Sequence, residues 1–140
     1  MENHIIKLRV WDNLRQEMLN PEEIWIKPDG AWVAVNRVNG IAFSETDSLN
    51  GVLIQYTGLK DKNGKEIYEG DIVEAYTLFD KDVKIKGEVV FTDSGMWKAI
   101  DAVYRDAEYL FELVKSKDRC EIIGNIYESP ELLNPLNKQS

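Results

Sequence analysis

One cysteine and one histidine in 140 residues remove much of the usual catalytic and metal-binding chemistry before any motif is considered. Cys120 has no partner for an internal disulfide, and it sits between Arg119 and Glu121 in a strand-like run where a small, half-buried hydrophobe fits. His4, beside Ile5 near the amino terminus, is a poorly anchored position for a general base. One His and one Cys do not make a Cys/His zinc site within a chain. Long apolar runs are also missing: segments such as Val52-Leu53-Ile54 and Ala31-Trp32-Val33-Ala34-Val35 fall far short of the roughly 18 residues of a membrane span. The opening MENHIIKLRVWD lacks a basic leader followed by an apolar stretch and a cleavage site. These absences imply a protein of the reducing cytoplasm, neither exported nor held in a membrane.

Positive charge is scarce and dispersed. The 17 Lys and Arg face 25 Asp and Glu, for a net charge of −8, and they form no stripe that would release counterions from a phosphate backbone. Nucleic acid is therefore disfavoured as a partner, and the simplest role of the acidic surface is solubility. Two ligand-loop patterns fail on particular residues. Read as a calcium loop, Asp61 to Ile72 puts Lys65 and Glu66 where a ligand and the sharp-turn glycine belong, and Ile72 where the bidentate Glu belongs. Read as a phosphate loop, Gly58 and Gly64-Lys65 are spaced one residue too far apart, and Glu66 replaces the magnesium-binding hydroxyl. No G-x-S-x-G elbow surrounds Ser44, Ser48 or Ser94, and the pairs Glu22-Glu23 and Asp80/Asp82 lie in expected turns. No catalytic residue, metal site or cofactor is assigned.

What is present is a β pattern with ample core material: 44% hydrophobic residues in a length suited to one domain spanning residues 1–140, with a frayed tail at 134–140. Ile5 to Trp11 alternates as a first strand, with Met18-Leu19 returning as a short partner. Pro28-Asp29-Gly30 joins Ile24-Trp25-Ile26 to Trp32-Val35 as a hairpin. Asn36 to Asn50 reads as a loop. Ile72 to Phe79 is a further strand, and Val83 to Phe91 another, with Gly87 at a bulge or bend. Ser94-Gly95 turns that strand back into Met96 to Ile100. A short helix is expected near 110–117, a last strand over Arg119 to Ile126, and a brief helix at Ser129-Pro130-Glu131 with Ser129 as its cap. The aromatic residues Trp25, Trp32, Tyr56, Tyr68, Tyr76 and Trp97 are expected mainly in packing rather than on a partner surface. The resulting architecture is mainly β, with antiparallel strands closing into a small SH3-like barrel or roll and one or two short helices.

The densest stretch, QYTGLKDKNGKEIYEGDIV at Gln55 to Val73, is followed about fifty residues later by EIIGNIYESPELL at Glu121 to Leu133. With KLRVWD at Lys7 to Asp12, these segments resemble the YopX family of phage and prophage proteins. The matching positions are Tyr56, Thr57, Gly58, Asp61, Gly64, Tyr68, Glu69, Gly70, Asp71, Gly124, Asn125 and Tyr127, read as mainly structural and as a candidate partner surface. The resemblance implies a small β-rich domain encoded by a phage or prophage, acting in the bacterial host cytoplasm, with no established biochemical role. Missing chemistry and abundant aromatics favour a non-enzymatic accessory protein that binds a phage or host protein, or itself in a homo-oligomer. The alternative is a small-barrel nucleic-acid-binding module, which rests on fold analogy alone.

Overall fold

The computed structural model describes residues 6–76, 82–103, 107–115 and 119–134. The chain divides into two compact units, Met1–Gln55 and Tyr56–Ser140. Both are built from antiparallel strands.

In the first unit, β1 (Leu8–Asp12) pairs with β2 (Glu17–Leu19) and with the opening residues of β6 (Gly51–Lys60). A three-stranded sheet follows the order β3 (Glu23–Ile26), β4 (Trp32–Val38), β5 (Ile41–Asp47). The first strand begins later than alternation implied, because Ile6 is exposed and lies outside the ladder while Val10, Trp11 and Asp12 are buried in succession. The Pro28-Asp29-Gly30 hairpin forms as expected. Gly30 supplies φ +91°, and the Asp29 carboxylate accepts the N–H of Ala31 at 3.0 Å. Residues 36–50 are not the loop that their polar composition suggested. They supply β5, whose register runs from Val38↔Ile41 to Val33↔Asp47 with one irregularity at Asn36/Arg37. Polar strands of this kind are held by the ladder rather than by alternation, which is why composition misread them.

In the second unit, the end of β6 turns back into β7 (Glu66–Tyr68). A curled five-stranded sheet has the order β11 (Ala107–Tyr109), β10 (Trp97–Asp101), β9 (Lys84–Phe91), β8 (Asp71–Tyr76), β12 (Cys120–Asn125). Val73, Ala75, Ile85, Val89, Ala99 and Cys120 of this sheet cluster with Ile67 and with the short helix α1 (Leu110–Val114), which contributes Leu110 and Leu113. Each of these residues is at most 8% exposed, so together they form a continuous apolar core.

Gly87 makes no bulge. The register from β8 through β9 to β10 is unbroken there, and a Cβ on Gly87 would stand 2.8 Å from the Ile100 carbonyl oxygen, so the glycine permits close backbone approach instead. The irregularity in this sheet falls at Ile122/Gly124. The expected carboxyl-terminal helix is a 3-10 turn, Pro130–Leu133, and Ser129 caps it with no side-chain bond; its carbonyl accepts from Leu132 N–H at 3.1 Å. The parts of the expected segments at 77–79, 116–117 and 135–140, together with His4 and Asp80, lie outside the described residues.

Candidate functional site

Two turns of the second unit are built around the buried carboxylates Asp61 and Asp71. Between β6 and β7 the chain reverses through Asp61 to Lys65, with Gly64 at φ +79°. Asp61 is 7% exposed, and its Oδ1 accepts the backbone N–H groups of Asn63 and Lys65, each at 2.9 Å. Its Oδ2 accepts the N–H of Ile122 in β12 at 3.0 Å, and the Lys62 N–H donates to the Cys120 carbonyl at 2.9 Å. Outside these bonds, Asn63 and Lys62 both reach Glu121 at the surface. The turn therefore covers the outer edge of β12, a position that would otherwise present open backbone groups. Cys120 lies just beneath. Burial, with the Asp61 charge second, pushes its thiol up to about 12.

The remaining motif positions are similarly occupied. The Thr57 hydroxyl donates to the Ile67 carbonyl at 2.7 Å and accepts the Leu59 N–H at 3.1 Å, bridging the irregular stretch of β6 that contains Gly58 at φ +87°. Tyr56 and Tyr68 face each other across the β6–β7 pair with ring centroids 5.5 Å apart. Asp71 accepts the Tyr68 N–H at 2.8 Å and closes the tight Glu69-Gly70 corner. Gly70, at φ +85°, donates to Val89 and accepts from Ile126, while Tyr127 packs where its Cβ would be. Glu69 is half-buried, and burial raises its carboxyl above the usual range. The Asn125 side-chain oxygen accepts the N–H groups of Tyr127 and Glu128, and Gly124 makes room for Leu132 and Ser129. Asp61, Gly64, Gly70, Asp71 and Asn125 thus each perform a backbone task, and Gly124 clears space for side chains. Among the described residues no group of three or more His, Cys, Asp or Glu is arranged to hold a metal ion.

Sequence reasoning passed over two features of the first unit. Asp12 is 3% exposed and accepts the N–H groups of Arg15 and Leu14 and the Thr46 hydroxyl, the last at 2.8 Å. The Arg15 N–H bond, aided by Thr46 and Leu14, outweighs burial and holds its carboxyl below the usual range. The second feature is an open groove of about 440 Å³ lined by Trp25, Lys27, Trp32, Val33, Asp47 and Leu49. Trp25 is 61% exposed and Leu49 89%, so Trp25 is not the packing residue that its strand context suggested. The cross-strand set Trp25↔Val33↔Asp47 gives the groove its floor and rim. The only sequence signal was an aromatic residue in a very short strand bracketed by Pro21 and Pro28.

A model of the family described as YopX protein matches residues 7–134. The chain belongs to the YopX family. It is 28% identical over 127 residues to the SPbeta prophage-derived uncharacterized protein YopX of Bacillus subtilis strain 168, covering 89% of this chain and 93% of that one. The crystal structure of that organism's yopX protein superposes with a TM-score of 0.65 at 26% identity, over 89% of this chain and 95% of its own. Protein EF1440 from Enterococcus faecalis gives a TM-score of 0.61 at 28% identity, over 94% of this chain and the whole of that one. The YopX match takes in both the carboxylate turns and the grooved sheet.

Proposed function

We infer that this YopX-family protein is a non-catalytic accessory protein of phage or prophage origin that works by binding protein in the bacterial cytoplasm. One observation carries the reading: Trp25, 61% exposed, and Leu49, 89% exposed, stand together at one open groove that Trp32 and Val33 also line. A soluble surface that concentrates tryptophan and aliphatic side chains in one place is suited to a protein interface, with Trp25 as the central anchor. The net charge of −8 and the acidic Asp47 at the groove favour a protein partner over nucleic acid. No helix among the described residues is long and apolar enough to cross a membrane.

The test is quantitative capture with purified protein and with a Trp25→Ala variant. Stoichiometric recovery of a protein by the first and its loss with the second is the expected result. Retention of single- or double-stranded DNA or RNA at low salt, with no protein partner, would overturn it.

A further inference from the structure

The β3 edge carries a more specific instruction. Among the described residues β3 pairs only with β4, so no described strand lies along its other edge. The Lys27 N–H donates to the Ala31 carbonyl at 2.7 Å, which fixes the phase of the ladder. Lys27, Trp25 and Glu23 turn their backbone groups toward β4, and Ile24 and Ile26 turn theirs outward. Natural edges are normally guarded by a charge, a proline or a bulge within the strand. The one charge in β3, Glu23, is already engaged by Arg37, the remaining Ile24-Trp25-Ile26 carries no charge, proline or bulge, and Pro21 and Pro28 lie beyond the strand ends. The contrast with β12, whose edge the Asp61 turn covers, lies within one chain.

We propose that the β3 edge pairs with β3 of a second copy of this chain, antiparallel and centred on Trp25, making one continuous six-stranded sheet from two three-stranded ones. This deepens the protein-binding reading above by naming the occupant. The sequence Glu23-Ile24-Trp25-Ile26-Lys27 is complementary to its own reverse. With Trp25 opposite the partner's Trp25, Ile24 stands opposite the partner's Ile26, and both have outward-facing N–H and C=O groups, as a hydrogen-bonded antiparallel pair requires. In the same register Glu23 stands opposite the partner's Lys27, and Lys27 opposite the partner's Glu23, on the face that carries Trp25. Opposite charges meet twice about the dyad. Arg37 already engages Glu23 Oε2, and the second carboxylate oxygen is the acceptor for the incoming ammonium. A register shifted by two residues would lose both charge pairs, so charge selects the alignment that the edge permits. The contact is short beside a standard interface of roughly 800 Å² per partner, so the dimer should form at concentrations on the order of micromolar and above and dissociate on dilution.

Sedimentation equilibrium on the full chain decides it, with a thermal melt of each variant to establish folding. The unaltered chain is expected to rise to twice the monomer mass with concentration. Lys27→Glu and Glu23→Lys each bring like charges together twice and are each expected to weaken dimerisation about tenfold or more. An equimolar mixture of the two variants restores both opposite-charge pairs and is expected to dimerise as the unaltered chain does. Ile26→Pro removes an outward N–H that the hairpin does not use, and is expected to give a folded monomer. A monomer at every concentration overturns the proposal, as does a dimer indifferent to Lys27→Glu and Ile26→Pro, or a mixture no more associated than its components. A monomer that still captures a different protein through Trp25 would leave the accessory-protein reading intact while this one fails.

Discussion

The carboxylate of Asp61 accepts the backbone N–H of Ile122 at 3.0 Å, joining residues 61 positions apart. A side chain here takes the place that a neighbouring strand's carbonyl would occupy, so the turn doubles as the last rung of the five-stranded sheet.

Replacing Asp61 by Ala leaves three backbone donors, on Asn63, Lys65 and Ile122, without their acceptor. The expected loss is about 2–4 kcal/mol of unfolding free energy, read from urea denaturation. Asp61→Asn keeps one oxygen acceptor and is expected to fall between the two. Equal stability of the Ala variant would mean that water replaces the carboxylate at all three donors.

Gly70 and Gly58 separate two reasons for glycine. Both have positive φ, +85° and +87°, but a Cβ on Gly70 would lie 2.9 Å from Tyr127 Cε2, and one on Gly58 meets nothing within 4 Å. Gly58→Ala is expected to cost about 1–2 kcal/mol from left-handed backbone strain alone. Gly70→Ala is expected to cost more, by about 1 kcal/mol or above, as the Tyr127 ring is displaced. Paired denaturation curves check the order, and the reverse order would rule out the steric argument.

Asp12 makes stability depend on acid. Its folded carboxyl is held below the ordinary value of 3.8, so its contribution is fully present above that value and disappears as pH falls through the lower folded value. The stability difference between the unaltered chain and Asp12→Asn is therefore expected to be constant at neutral pH and to shrink only below about pH 4. A difference that shrinks near pH 6 would point to another group.

The Cys120 thiol, buried and shifted to about 12, is expected to resist iodoacetamide at pH 8 in the folded protein and to react fully in denaturant. Its ordinary value is 9.0, so the folded state should be progressively destabilised as pH rises from 9 toward 12. Fast labelling of the native protein at pH 8 would contradict the burial of β12.

Much of the second unit was readable in the sequence because its turns demand particular residues. Asn63-Gly64, Glu69-Gly70-Asp71 and Ser94-Gly95 announce reversals through backbone geometry, and of the alternating set Val83, Ile85, Val89 and Phe91 the middle two are buried while Val83 and Phe91 are exposed at the ends. β5 was hidden because a strand stabilised by its neighbour can be polar, and Gly87 was misassigned because a close approach and a bulge ask for the same residue. The groove was hidden for a different reason. Exposure of Trp25 depends on where sheet edges fall, and strand order is not written in local periodicity. Asp12 looked like the end of a strand, and only the return of Thr46 to it in space gave it a role.

The pairing of β8 with β12 sets a timetable for the growing chain. β8 is made early, its partner strand comes from residues 120–125, and a ribosome supplies roughly 5–20 residues each second, so one flank of β8 waits unfilled for seconds. During that interval the Asp61–Lys65 reversal can already form from local bonds alone. β12 is the last strand of its sheet to be made, and the carboxylate that accepts its Ile122 N–H stands 61 positions earlier in the chain.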